Sequence, residues 1–138
     1  MASIKERLGP FKDHLEFFGY NCVFDENGVG AFHPTKPYLR CYPLGGDVAL
    51  LSPFAINETA KKDRAGFLEF LNQANAKTGV CKYYENNGNL FIQATYVGEY
   101  ERPRFGQCFD DFLGGVAALR ELLPVEISKY FDTPKQVE

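Results

Sequence analysis

The sequence lacks the closely spaced cysteine pairs, long apolar runs and one-sided charge that mark several common classes of protein. Its cysteines lie far apart with no Cys-x-x-Cys pair, whereas zinc fingers and ribbons rely on such pairs. We therefore expect free, mostly buried thiols in a reducing cytoplasm, and neither a metal site nor a cofactor. The four cysteines are Cys22, Cys41, Cys81 and Cys108.

Hydropathy and charge argue against two further kinds of partner. No window approaches the roughly 18 consecutive apolar residues of a membrane helix, so no membrane span is expected. The first eight residues mix both charge signs and do not predict a signal peptide. The net charge is only -3, without a basic stripe, so nucleic-acid binding through phosphate neutralisation is not predicted.

What the sequence does contain is a large share of apolar and aromatic side chains. Hydrophobic residues make up 45% and aromatic residues 15% of its 138 residues. This composition predicts a packed globule rather than a disordered chain. The length fits a single domain over residues 1–138, with residues 132–138 expected to form a frayed tail.

Residues 79–98 predict a β-hairpin that turns at Asn87-Gly88. A two-residue type I′ turn needs positive φ at both central positions, which Asn-Gly adopts readily. This turn places Tyr84 opposite Phe91 and Lys82 opposite Gln93. The predicted core face carries Cys81, Tyr83, Leu90, Ile92, Ala94 and Tyr96, and the other face carries Lys82, Tyr84, Phe91, Gln93, Thr95 and Val97.

Apolar spacing predicts three helices and further strands around this hairpin. Because Gly9-Pro10 interrupts the first stripe, we expect its main helix to begin at Pro10, after a short turn over residues 3–8. The other helices are predicted from residue 59 or 63 to 77 and from 103 or 105 to 123, and further strands from a hairpin at Asn27-Gly28 and from runs 38–44 and 48–54.

The order α-βββ(β)-α-ββ-α keeps strands and helices largely segregated. This predicts an α+β fold with a mostly antiparallel sheet of five or six strands and three helices packed on one side. Three amphipathic helices cover only one face of such a sheet, so the other face is expected to remain open.

The element order resembles that of the YbjN-like family, whose domains share the fold of type III secretion chaperones. The resemblance rests on residues 67–80, Phe-Leu-Glu-Phe-Leu-Asn-Gln-Ala-Asn-Ala-Lys-Thr-Gly-Val, and on the hairpin that follows. Asn75 and Gly79 are the residues that match its loose motif. The resemblance implies a bacterial cytoplasmic protein that binds another protein, commonly as a homodimer, and it brings no catalytic residues.

The candidate site is therefore a surface that binds a protein partner or a second copy of the chain. Its predicted centre is the half-polar hairpin face with Tyr84, Phe91, Gln93 and Val97, because aromatic sheet surfaces favour docking. Gly114-Gly115 in the third helix is consistent with local packing or with the close approach of a second subunit. Strand edges at residues 38–44 and 90–97 are candidates for pairing with an extended partner.

Two alternatives remain open from the sequence. One is a small-ligand sensor or carrier with an aromatic pocket under the third helix. The other, less favoured, is an enzyme with a Cys22–His33 dyad, because a two-residue turn at Asn27-Gly28 would place these side chains opposite each other. His14 is predicted on the polar side of the first helix, and no residue is assigned a catalytic role.

Overall fold

A computed structural model of the protein describes residues 3–77, 79–122 and 129–131. Helices and strands occur in the order α1, β1 to β4, α2, α3, β5, β6 and α4. The helices are α1 (Ile4–Phe17), α2 (Glu58–Lys62), α3 (Arg64–Lys77) and α4 (Arg102–Leu122). The strands are β1 (Asn21–Phe24), β2 (Val29–Phe32), β3 (Leu39–Leu44), β4 (Asp47–Ala55), β5 (Lys82–Asn86) and β6 (Asn89–Tyr96).

The six strands form one antiparallel sheet in the order β1-β2-β3-β4-β6-β5. This confirms the predicted α+β class and gives the larger of the two expected strand numbers. The predicted edge strands were wrong, because β3 and β6 are interior and the edges are β1 and β5. The long strands β4 and β6 pair from Val48–Tyr96 to Ala55–Asn89, which places β6 between β4 and β5.

The β5–β6 hairpin has the predicted register, with Tyr84 opposite Phe91 and Lys82 opposite Gln93. Asn87 and Gly88 both have positive φ, 52° and 80°, as a type I′ turn requires. The side chains predicted for its core face are all buried. The predicted turn chemistry and the observed burial therefore agree.

The β1–β2 hairpin differs from its prediction by a shift of two residues in register. Cys22 lies opposite Ala31, not His33, and residues 25–28 form a four-residue loop. The Asp25 carboxylate accepts hydrogen bonds from the backbone N–H groups of Asn27 and Gly28, at 2.9 and 3.0 Å. This side chain–backbone turn closes the loop earlier than the Asn-Gly pair alone would.

Helix α1 runs through Pro10 instead of starting there. Ser3 caps its first turn by accepting a hydrogen bond from the Glu6 backbone N–H at 3.1 Å. Leu8 and Leu15 lie on the same helical stripe, one on each side of Pro10, and both are fully buried. Burial of the whole stripe holds the helix together despite the hydrogen bond that proline cannot donate.

The predicted second helix is divided into α2 and α3 at Asp63. The Asp63 carboxylate accepts a hydrogen bond from the Gly66 backbone N–H at 3.1 Å, which caps the start of α3. Four helices are therefore present in the described residues, where three were predicted. Helix α4 has nearly the predicted bounds, and the predicted end at Leu123-Pro124 and the tail 132–138 lie outside the described residues.

The helices and the core lie on one face of the sheet. Helix α1 packs on β1, β2 and β3, helix α3 packs on β5, and helix α4 packs on β6. The core is rich in aromatic rings, and the largest of its fully buried side chains are Phe67, Phe70, Phe105, Phe109 and Phe112. None of the described helices covers the opposite face of the sheet, which we call the open face.

Candidate functional site

A row of aromatic side chains crosses the open face. The Phe32 and Tyr38 ring centroids are 4.8 Å apart, and those of Tyr84 and Phe91 are 5.7 Å apart. Pro53 on β4 pairs with Phe91 on β6. Arg40 pairs with Leu51, and the same register extended by two residues brings Tyr38 alongside Pro53. The aromatic row, from β2 to β5, consists of Phe32, Tyr38, Phe91 and Tyr84, with Pro53 between Tyr38 and Phe91.

The open face exposes more apolar surface at its borders. Phe32 is 52% exposed, Val23 on β1 is 56% exposed and Val97 beyond the end of β6 is 61% exposed. The other members of the aromatic row are half-buried against one another. Isolated exposed hydrophobic side chains are common, but a continuous apolar strip marks a surface that can bind another molecule.

Gln93 supports the centre of the open face. It is only 4% exposed, and its Oε1 accepts a hydrogen bond from the Tyr84 hydroxyl at 2.8 Å. Its Nε2 in turn donates to Thr95 Oγ1 at 3.5 Å. Burial, with a smaller contribution from nearby Tyr42, raises the pKa of Tyr84, so this hydroxyl remains a neutral hydrogen-bond donor.

The open face carries few charged groups, and one of them is paired within the chain. Arg40 forms an ion pair with Asp25 at 2.7 Å, and this contact lowers the pKa of Asp25 to about 2. The Lys82 ammonium lies 5.6 Å from the centre of the Tyr84 ring. The face therefore combines apolar surface with few unpaired charges, which is typical of the centre of a protein–protein interface.

The structure brings four of the six predicted site residues to this face. Tyr84, Phe91 and Gln93 lie together on β5 and β6. Val97 comes directly after β6, at the next position of the set that alternates onto the open face. Sequence reasoning missed Phe32, which lies in the same row. Its signal in the sequence was its place next to Val29 and Ala31, apolar residues at alternate positions that the structure buries while Phe32 is exposed.

The two remaining predicted residues, Gly114 and Gly115, lie on α4, on the helical side of the sheet. Gly115 is buried, and an added Cβ there would approach the Cys81 Cβ to 2.8 Å. Its carbonyl also accepts a hydrogen bond from the Tyr83 hydroxyl at 2.6 Å. Gly114 is exposed, with no atom within 4 Å of an added Cβ. Packing within the chain thus accounts for Gly115.

The geometry does not support the Cys22–His33 dyad. Cys22 faces Ala31, and the His33 Nδ1 accepts hydrogen bonds from the backbone N–H groups of Thr35 and Lys36 at 3.1 and 3.2 Å. Burial, together with Glu16, raises the pKa of the Cys22 thiol to about 11, whereas an activated thiolate needs a lowered pKa. Among the described residues, no group of three or more His, Cys, Asp or Glu side chains is arranged to hold a metal ion.

His14 is buried, contrary to the prediction that it lies on a polar helix face. Only 6% of it is exposed, and its Nδ1 is 2.8 Å from the Tyr100 hydroxyl. Burial lowers the pKa of His14, and the charge of Arg102 lowers it further. These residues line a surface hollow of about 380 Å³ between α1 and the start of α4, together with Pro10, Asp13 and Phe17.

Structural comparison identifies the fold. The chain superimposes on YbjN from E. coli, a candidate transcription regulator, with a TM-score of 0.70 and 8% sequence identity over 89% of this chain and 93% of that one. The fold is YbjN-like and type III secretion chaperone-like. A chain of the heterodimeric ExoU–SpcU complex, from the type III secretion system of Pseudomonas aeruginosa, gives a TM-score of 0.57 and 16% identity, over 80% of this chain and 95% of that one.

These YbjN-like neighbours confirm the fold that the sequence resemblance implied. At such low identities the likeness concerns the fold alone. No family model and no curated protein matches the sequence. In the described part of the chain, no helix is both long and apolar enough to cross a membrane.

Proposed function

We propose that this protein is a non-enzymatic polypeptide-binding module, a chaperone-like or regulatory adaptor that acts as a homodimer in the bacterial cytoplasm. The observation that carries this proposal is the open face with its aromatic row from Phe32 to Tyr84. The free cysteines are consistent with a reducing compartment.

The chemistry of the open face favours a polypeptide over a nucleic acid. Aromatic side chains are enriched at the centre of protein interfaces, where charged residues are depleted. Arg40 is already paired with Asp25, and the single further cation among the described residues of this face, Lys82 beside the Tyr84 ring, is too little charge for binding that depends on neutralising several phosphates. The ExoU–SpcU neighbour is itself part of a heterodimer, which supports protein binding by this fold.

Self-association is the first binding event that we propose for this face. Two copies can place their aromatic rows against each other across a two-fold axis, because such an axis brings the same surface of both copies together. The ion pair of Arg40 with Asp25 limits repulsion between the copies.

The test replaces Tyr84 and Phe91 by serine in one variant and measures the mass by light scattering over a concentration series. We expect the wild-type chain to form a dimer and the Tyr84→Ser/Phe91→Ser variant to be monomeric, because the variant loses the middle of its apolar contact. Circular dichroism and thermal melting establish that the variant is folded. Leu68→Ser, at a 50% exposed leucine on α3 and away from the open face, is the matched control and should keep the wild-type mass.

Equal masses for the wild-type chain and the double variant would contradict self-association through the open face. Loss of the dimer in Leu68→Ser as well would show that the effect is not specific to this surface. A wild-type chain that stays monomeric at all concentrations would contradict the homodimer.

The hollow beside His14 favours a small-ligand sensor as the second candidate function. The guanidinium of Arg102, 4.8 Å from the centre of the Phe17 ring, lies at this hollow and could bind an anionic group. A thermal-shift screen against metabolites separates the two functions. A ligand that stabilises the wild-type chain but not Arg102→Ala would favour the sensor, whereas a dimer that responds to no ligand favours the adaptor.

A further inference from the structure

The two edges of the sheet differ in how their backbone groups are satisfied. An edge strand usually presents a row of unpaired N–H and C=O groups that invites another strand. On β5, the Tyr83 N–H donates to Asn75 Oδ1 at 2.8 Å, and Asn75 Nδ2 donates to the Tyr83 carbonyl at 2.9 Å. The side-chain amide of Asn75 therefore makes the same two bonds as a neighbouring antiparallel strand would make to Tyr83.

A second contact attaches α3 to the same strand. Arg64, at the start of α3, forms two hydrogen bonds with the Glu85 carboxylate at 2.7 and 2.5 Å. Glu85 and Tyr83 belong to the same alternating set of β5, whose backbone groups point away from β6. Helix α3 thus binds the backbone groups of Tyr83 and the side chain of Glu85, the two residues of β5 to which an added strand would pair.

The opposite edge, on β1, is not closed in this way. The Asp25 N–H donates to the Gly28 carbonyl at 2.9 Å, which makes residues 25 and 28 a hydrogen-bonded pair. By alternation along the strand, the backbone groups of Cys22 and Phe24 point outward from the sheet. Within the described residues, no side chain binds these groups as Asn75 binds Tyr83.

Asparagine suits this role because its short side chain carries a donor and an acceptor in one plane. Alanine at position 75 would remove both bonds. Asn75 lies near the end of α3, and the short connection to β5 returns the chain so that the amide reaches Tyr83.

We propose that Asn75 blocks the addition of another strand at the β5 edge. Its amide occupies the hydrogen-bonding positions at Tyr83, so that the β5 strand of a second copy cannot pair there and any added strand is directed to β1. This inference goes beyond the proposed function and does not depend on it, because it concerns the sheet edge and not the open face.

The test compares Asn75→Ala with Asn72→Ala, an exposed asparagine on the same helix that serves as the matched control. Hydrogen exchange of the Tyr83 amide should become roughly tenfold faster in Asn75→Ala and stay unchanged in Asn72→Ala, since one partner of this amide is lost. Light scattering over a concentration series should show Asn75→Ala associating beyond the wild-type mass. Because this readout is an increase over the wild-type mass, it applies whether or not the wild-type chain is already a dimer.

A third variant identifies the edge that is involved. Asn75→Ala/Glu85→Pro removes an outward N–H of β5, so it should return the mass to the wild-type value. If Asn75→Ala does not fold, Asn75→Ser, whose side chain is too short to reach both groups, takes its place. Faster exchange without extra association, or association that Glu85→Pro does not reverse, would overturn the proposal.

Discussion

At the scale of single residues, two identical neighbours in the sequence can have different structural roles. Gly114 and Gly115 are adjacent on α4, yet only Gly115 faces the sheet, at Cys81. The sequence predicted that a glycine pair in a helix needs a steric reason. It did not predict which glycine has that reason, because Cys81, which faces Gly115, is 34 residues away in the sequence.

We predict opposite effects for alanine at these two positions. Gly115→Ala should destabilise the fold by about 1–3 kcal/mol, because the added Cβ overlaps Cys81 and forces a shift of α4 or β5. Gly114→Ala should stabilise it by up to about 1 kcal/mol, since it raises helix propensity in open space. Urea unfolding followed by circular dichroism measures both changes.

The double variant Cys81→Ala/Gly115→Ala provides the internal control for this pair. It should lower the free energy of unfolding by less than the two single variants do together, because removal of the Cys81 sulfur relieves part of the overlap. Strictly additive costs, or an equal loss of stability in both glycine variants, would show that Cys81 does not determine the effect.

At the scale of elements, local chemistry predicted one hairpin fully and the other only in part. The turn at Asn87-Gly88 requires no other residue, and its register agrees with the structure. The turn at Asn27-Gly28 was wrong because the Asp25 carboxylate binds the loop backbone and sets a longer turn. Similarly, Pro10 predicted a helix start, but buried leucines on both sides of it keep α1 continuous.

The open face shows the same limit of sequence reasoning. Alternation in the β5–β6 hairpin placed Tyr84 and Phe91 on one face correctly. The strand order was not predictable from alternation, because any antiparallel neighbour gives the same period of two. Without that order, Phe32 and Tyr38 could not be joined to the same row.

The contact between α1 and the start of α4 should make stability depend on pH. His14 is buried there beside Tyr100, and burial lowers its pKa below the usual 6.5. The unfolded chain therefore binds a proton at this residue more readily than the folded chain does. Its contribution to stability is present above pH 6.5 and is lost as the pH falls below that value.

We predict that His14→Phe reduces the loss of stability between pH 7.5 and about pH 5, whatever its effect at pH 7.5. A phenyl ring can pack against Phe18 and Phe105, as the imidazole does with centroid distances of 4.7 and 5.1 Å. Urea midpoints at a series of pH values measure the slope for both proteins. An identical slope in the variant would mean that protonation of His14 does not contribute.

At the scale of the whole molecule, the described residues form two layers, with helices on one face of the sheet and the open face on the other. The C-terminal part of the described chain closes the helical layer. The backbone N–H of Asn57 donates to the Tyr130 carbonyl at 2.9 Å, and the Tyr130 ring centroid lies 5.3 Å from that of Phe67 and 5.5 Å from that of Phe70. Residue 130 is thus part of the same core as α3, which supports the proposal of a single domain.

If the chain folds as one unit, loss of the Tyr130 ring should lower its overall stability in a single transition. Tyr130 is 3% exposed, and aromatic-to-alanine changes at such positions cost about 3–5 kcal/mol. We therefore expect Tyr130→Ala to lower the midpoint of one cooperative calorimetric transition by roughly 10 °C or more. Tyr130→Phe, which loses only the hydroxyl 3.3 Å from Asp63, should cost about 1 kcal/mol or less.

A chain that ends at Phe131 separates this contact from the residues that follow it. We expect this truncated chain to melt at the wild-type temperature, because residues 132–138 are predicted to form a frayed tail. Two resolved transitions in Tyr130→Ala would contradict a single domain, since they would show that the C-terminal contact melts independently of the sheet. A truncated chain as unstable as Tyr130→Ala would instead assign a structural role to the last seven residues.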